Sequence, residues 1–205
     1  MHVLLLNGSP NAEGCTFTAL SEIAATLKSE NITSEIFQLG KKPVRGCVAC
    51  GGCQERGACV FQDDVLPVLV EAAKRADGIV IGSPVYYAGP NGALCALLDR
   101  FFFSSGNLLK FKPGAAVVSC RRGGASASFD RLNKYFTINQ MPVVSSQYWN
   151  SVHGFTPDDV RKDAEGLQTM RTLAHNLARM LRMEAVTPQR TDEEEHLWTS
   201  FHDGK

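Results

Sequence analysis

Short aliphatic runs alternate along the chain with longer stretches whose apolar residues recur at helical spacing. Residues 3–6, Val-Leu-Leu-Leu, carry no polar interruption and stop at Asn7-Gly8-Ser9-Pro10. Such a run reads as a strand covered on both faces. Residues 16–29 follow with Leu20, Ile23, Ala24 and Leu27 on one stripe, the pattern of an amphipathic helix. The same alternation predicts strands at 32–39, 79–81 and 115–119, helices at 64–76, 92–103 and 126–139, and a fifth strand opening at 143–145. A last helix starts at Thr156-Pro157-Asp158-Asp159, where an N-cap Thr, a Pro at the first helical position and acid in the first turn coincide. Its apolar face, which includes Leu167, Met170, Leu173, Leu177 and Leu181, runs out after Met183.

Buried strands alternating with helices predict an α/β chain, with a parallel sheet between two helix layers. Five strands fit the order 2-1-3-4-5, and right-handed crossovers bring every strand-to-helix loop to one carboxyl edge. Chemistry is expected in those loops. A chain of 205 residues suits one domain, 1–183, followed by a tail, 184–205. Leu197, Trp198 and Phe201 make that tail either an arm docking on a partner subunit or a frayed end. The 21 Lys and Arg balance 21 Asp and Glu, which leaves no electrostatic footprint for nucleic acid or an anionic membrane. No apolar run approaches the roughly 20 residues of a membrane helix. The N-terminus lacks the basic and apolar regions of a signal peptide, so the cytoplasm, where thiols stay reduced, is the expected compartment.

The loop after the first strand, Gly8-Ser9-Pro10-Asn11-Ala12-Glu13-Gly14-Cys15-Thr16, leads into a helix N-terminus. Free backbone N–H groups and the helix dipole make that position an anion site. The loop matches neither a Walker A sequence nor Gly-x-Gly-x-x-Gly, and it contains no Lys or Arg. Backbone and hydroxyl groups would have to hold the anion; an ordinary capping turn is the alternative. The third strand ends in Ser83-Pro84-Val85-Tyr86-Tyr87-Ala88-Gly89-Pro90-Asn91-Gly92. In a 2-1-3 order this loop flanks the same crevice, and two adjacent tyrosines offer a flat face with a polar tip.

Gly-Ser-Pro-x-x-x-Gly-x-Thr followed by Ser-Pro-Val-Tyr-Tyr-x-Gly resembles the flavodoxin-like NADPH-dependent FMN reductase family over roughly residues 3–183. The resemblance implies a flavodoxin-like three-layer α/β/α fold with a five-stranded parallel sheet. It implies that Ser9, Asn11, Gly14, Cys15 and Thr16 hold the 5′-phosphate of FMN. It also places Pro84, Val85, Tyr86 and Tyr87 near the flavin ring, with Ala88 and Gly89 shaping the bend. The implied activity is an FMN-dependent oxidoreductase passing electrons from NAD(P)H to a small acceptor such as a quinone or flavin. The flavin, rather than any catalytic side chain, would carry the chemistry. Flavin edges in the family lie at subunit contacts, which implies a homodimer or homotetramer. The fourth strand runs into Ser119-Cys120-Arg121-Arg122-Gly123-Gly124 at the position of the family's Gly-rich loop. Ser119, Arg121 and Gly123 are therefore candidate cofactor contacts. The cation suits either the polar edge of the flavin or a nicotinamide cofactor's 2′-phosphate.

Cys47-x2-Cys50-x2-Cys53-x5-Cys59 concentrates four of the seven cysteines in one segment, 46–60. Compact four-thiolate runs suit Fe–S clusters, whereas zinc sites usually pair two distant Cys-x2-Cys knuckles. The spacing resembles the iron–sulfur flavoproteins, relatives with a [4Fe-4S] cluster beside FMN. A loop of reduced cysteines ahead of Asp63-Asp64 is the alternative, as is a zinc staple. With a cluster, a non-catalytic carrier of single electrons becomes the second functional reading. Cys15, Cys95 and Cys120 read as core or loop residues, and His153 as a structural histidine at the same sheet edge.

Overall fold

The computed structural model describes residues 1–62, 64–187, 194, 195, 197 and 199. The central sheet is built on β1 (His2–Asn7), β2 (Thr33–Gln38), β3 (Gly78–Tyr86), β5 (Gly114–Cys120) and β6 (Ser151–His153). These strands are parallel and lie in the order β2-β1-β3-β5-β6, which is the expected 2-1-3-4-5 arrangement. The two-residue β4 (Gly89–Pro90) is an addition that folds back antiparallel onto the end of β3.

The uninterrupted apolar runs follow from burial on both faces. Val3, Leu5, Val80 and Val117 point into one layer, against Leu20 and Ile23 of α1 (Cys15–Ser29) and Leu173 and Leu177 of α7 (Ala164–Val186). Their neighbours Leu4, Leu6, Ile79, Ile81 and Val118 point into the other layer. There they meet α3 (Leu66–Arg75), α4 (Gly92–Ser105) and α5 (Ala125–Ile138). Each such side chain, taken fully out of water, contributes about 1.5–3 kcal/mol.

Three expectations need correction. The fifth strand does not run on from 143–145: Val143 makes only an isolated bridge to Gly114, and regular pairing resumes at Ser151. Between them the chain leaves the ladder, and the buried Asn150 side chain donates to the Ala116 carbonyl (3.0 Å) in place of a backbone group. The last helix is two helices, α6 (Pro157–Lys162) and α7, and α7 continues past Met183 to Val186. Asp163 breaks them apart because its carboxylate accepts from Gly166 N (3.0 Å) and from His153 N (2.6 Å). The cysteine segment, for which the sequence pattern predicts no regular element, contains a short helix, α2 (Gly52–Arg56), entered and left through glycines at positive φ. Asp63, Trp198 and Phe201 lie outside the described residues, as does most of the tail. No helix among the described residues is long and apolar enough to cross a membrane.

Candidate functional site

The loops after β1 and β3 meet at the carboxyl edge of the sheet, where Gly8 N donates to the Gly82 carbonyl (2.8 Å). Asn7, fully buried at the end of β1, shapes the first loop: its Oδ1 accepts from Ser9 N (3.1 Å) and its Nδ2 donates to Gln38 Oε1 (2.6 Å). Gln38 in turn donates to the Ser9 carbonyl (2.6 Å). The Ser9 hydroxyl accepts from Asn11 N at 3.1 Å, which leaves its own hydrogen to donate. The chain then enters α1 through Gly14, which offers no side-chain cap. The first-turn N–H groups thus have no side-chain cap, and a helix N-terminus of this kind favours an anion. A Cβ on Gly14 would lie 3.1 Å from Asn11 Cβ and 3.8 Å from Ser9 Oγ, so the glycine keeps this concavity open.

The predicted phosphate residues separate into two roles. Ser9, Asn11 and Gly14 form the loop itself. The Thr16 hydroxyl is buried and lies 2.8 Å from the Ser119 hydroxyl, so these two tie α1 to the end of β5 and share one hydrogen. Cys15 brings its backbone to the cradle, but its thiol turns toward the Gly154 carbonyl (3.8 Å) in the loop after β6. Burial raises that thiol's pKa, an effect its own backbone N–H partly offsets.

The second loop is a tight hairpin, Val85 opposite Pro90 and Tyr86 opposite Gly89. Both central residues, Tyr87 (φ 50°) and Ala88 (φ 60°), are left-handed, the twist that suits a two-residue hairpin but costs non-glycine residues about 1–2 kcal/mol each. Tyr87 is fully exposed and Tyr86 half-exposed, so both rings are presented outward. The third loop supports this turn from behind. Gly124 (φ 86°) caps α5, and a Cβ there would lie 2.6 Å from Ala88 Cα. Arg121 and Gly123 stand exposed beside it.

Asn91 is a site residue that sequence reasoning missed. It is 6% exposed. Its Nδ2 donates to the Gly8 carbonyl (2.9 Å), its Oδ1 accepts from Ala93 N (2.9 Å) as the N-cap of α4, and its own N–H donates to Ser83 Oγ (3.0 Å). One side chain thereby rivets the first loop to the second. Its signal was an amide at the strand-to-helix junction just ahead of an apolar helix.

Cys47, Cys50, Cys53 and Cys59 are free thiols that line one pocket, closed by Val60, Phe61, Phe103 and Arg100. Ala49 N donates to Cys47 Sγ at 3.5 Å. Among the described residues no group of three or more His, Cys, Asp or Glu side chains is arranged to hold a metal ion. Four thiols are a donor set that either zinc or an iron–sulfur cluster takes. Arg100 was also missed, because it falls three residues after Leu97 on the apolar stripe of α4, where a cation is not expected. It is 1% exposed and pairs with Asp64. Burial alone would lower its pKa, but Asp64 and the Cys59 sulfur together hold it above the usual value. His153 has a half-exposed ring 3.7 Å from Asp163, a surface arrangement.

The fold and this pair of loops define a flavodoxin-like protein. The NADPH-dependent FMN reductase family matches residues 1–156, and the chain belongs to that family. Among proteins of similar sequence, an iron–sulfur flavoprotein of Methanocaldococcus jannaschii is 34% identical over 191 residues, covering 89% of this chain and 98% of that protein. One of Methanosarcina thermophila is 30% identical, covering 89% and 96%. Among solved structures, RosB with bound 8-demethyl-8-formylriboflavin-5′-phosphate superposes with a TM-score of 0.72 at 14% identity, over 98% of this chain and 92% of that one. A flavodoxin from the domain Archaea gives 0.59 at 15%, over 89% and 99%.

Proposed function

We propose that this protein is an FMN-dependent oxidoreductase that passes electrons from NAD(P)H to a small acceptor such as a quinone or another flavin. The observation that carries this reading is the uncapped start of α1 at Gly14, tied through Asn91 to the hairpin that presents Tyr86 and Tyr87. The N–H groups of the first α1 turn, with the Ser9 hydroxyl, would hold the phosphate. The tyrosine hairpin would cover the ring, and Val85 to Gly89 would offer backbone groups to its polar edge. Arg121 would supply a cation at that edge or to the nicotinamide cofactor's 2′-phosphate. Bound FMN supplies hydride acceptance and onward electron transfer; the protein supplies orientation, local charge and exclusion of water. Fully exposed Tyr87 and largely exposed Phe155 at the same edge suit a site completed by a second subunit, in a cytoplasmic homodimer or homotetramer.

The four-cysteine pocket favours a second reading, a non-catalytic carrier in which FMN and a [4Fe-4S] cluster shuttle electrons between partner proteins. Support comes from the four thiols around one cavity and from relatives bearing the name iron–sulfur flavoprotein. Steady-state oxidation of NADPH and NADH by anaerobically purified, FMN-loaded protein separates the two. Turnover with benzoquinone or free riboflavin as acceptor supports the reductase; no turnover with any acceptor supports the carrier. Iron and sulfide analysis of the same sample tests the cluster.

A further inference from the structure

We propose that Arg100 is a positioning residue that holds Cys59 in the cysteine pocket and raises the readiness of a cluster seated there to take up an electron. This rests on the iron–sulfur reading above. Arg100 is 1% exposed and heads the fully buried side chains by size. A guanidinium has five N–H donors, and here each has an acceptor. Nε donates to Cys59 Sγ (3.4 Å), Nη1 to the Arg45 carbonyl (3.2 Å) and to Asp64 Oδ2, and Nη2 to the Phe61 carbonyl (2.9 Å) and to Asp64 Oδ1 (3.3 Å). All five bonds close the loop from 45 to 64 onto α4. One of them goes to sulfur, and that sulfur belongs to the pocket.

Loop closure alone does not call for a cation at this position. Apolar residues of similar volume in place of both Arg100 and Asp64 would avoid the cost of desolvating an ion pair, and such replacements are often neutral or stabilising. A buried cation with an N–H aimed at a thiolate does have an electrostatic consequence. Adding one electron to a cluster adds one negative charge, and hydrogen bonds to its sulfurs and nearby positive charge favour that state. Asp64 is the counterweight, a carboxylate on the same guanidinium. The two residues must therefore push the potential in opposite directions, whereas loosening of the loop would move it the same way in both variants.

The test is a mediated redox titration of anaerobically purified protein, following cluster bleaching and flavin bleaching separately. Arg100→Gln is expected to lower the cluster midpoint by about tenfold in the one-electron equilibrium constant, about 59 mV. Asp64→Asn, which keeps an acceptor for the guanidinium, is expected to raise it. Arg100→Lys, with charge but no planar fork, is expected to fall between Gln and wild type, and the flavin midpoint should move less in all three. Shifts of the same sign in Arg100→Gln and Asp64→Asn overturn the assignment. If Arg100→Gln retains no iron, the other two decide: an unchanged cluster midpoint in Asp64→Asn overturns the assignment, and a rise there with a smaller fall in Arg100→Lys supports it. Wild-type protein free of iron and sulfide overturns the cluster reading, and this assignment with it.

Discussion

Replacing Asn91 by alanine removes two bonds that sit at different levels of the structure. One is the N-cap of α4, through Oδ1 to Ala93 N at 2.9 Å; the other is the tether through Nδ2 to the Gly8 carbonyl, also at 2.9 Å. Loss of an Asn cap costs about 1 kcal/mol. Loss of the tether costs about 1 kcal/mol net, or about 1–3 kcal/mol with the carbonyl left buried and unpaired. Asn91→Ala should therefore lower the unfolding free energy of the apoprotein by about 2–4 kcal/mol, read as a fall in the urea midpoint at unchanged slope. Asn91→Ser keeps a capping oxygen but cannot reach Gly8, so it should recover about 1 kcal/mol of that loss. Both variants should weaken FMN binding by at least about tenfold, since each frees the phosphate loop from the flavin hairpin. An Asn91→Ala protein within about 0.5 kcal/mol of wild type, or a serine variant no better than alanine, would refute the double role.

Gly124→Ala should destabilise by about 2–4 kcal/mol, from the left-handed backbone and the close approach to Ala88; a urea midpoint equal to wild type would contradict it. The same variant should weaken FMN more than Thr16→Val does, because it displaces the tyrosine hairpin; matched calorimetric titrations compare them. Tyr135 has a pKa raised well above its usual 10 by burial, and further by the hydrogen bond it donates to Asp99 (2.5 Å). The unfolded chain releases this proton above pH 10 while the folded protein keeps it, so the associated stability is fully present below pH 10 and is lost as pH rises beyond it. Tyr135→Phe should flatten the fall in stability above pH 10 in unfolding curves taken at several pH values; an equally steep fall would show that other groups cause it.

The sheet was legible because burial on both faces writes itself as uninterrupted apolar runs, and the strand-end loops because Gly, Ser and Pro cluster there. What escaped were side chains doing backbone work across long sequence separations. Asn7 and Gln38 shape one loop from two strands, Asn91 reaches back to Gly8, and Asn150 replaces a ladder bond to Ala116. Asp163 splits the last helix by accepting from both sides. Each of these residues is common in turns and on surfaces, so its type alone does not reveal a buried partner. Arg100 escaped for the opposite reason: its neighbours on α4 read as core, and only the cysteine loop folded over it supplies the five acceptors that make its burial tolerable.

If the amides at the start of α1 grip a phosphate while the tyrosine hairpin holds the ring attached to it, removing the phosphate from the ligand should cost most of the affinity. Parallel calorimetric titrations of apoprotein with FMN and with riboflavin, which differ only in that phosphate, measure this directly. One FMN should bind per chain and riboflavin at least about 100-fold more weakly, from the loss of charge-assisted hydrogen bonds worth about 1.5–3 kcal/mol each. Equal affinity for the two, or binding of neither, would contradict it.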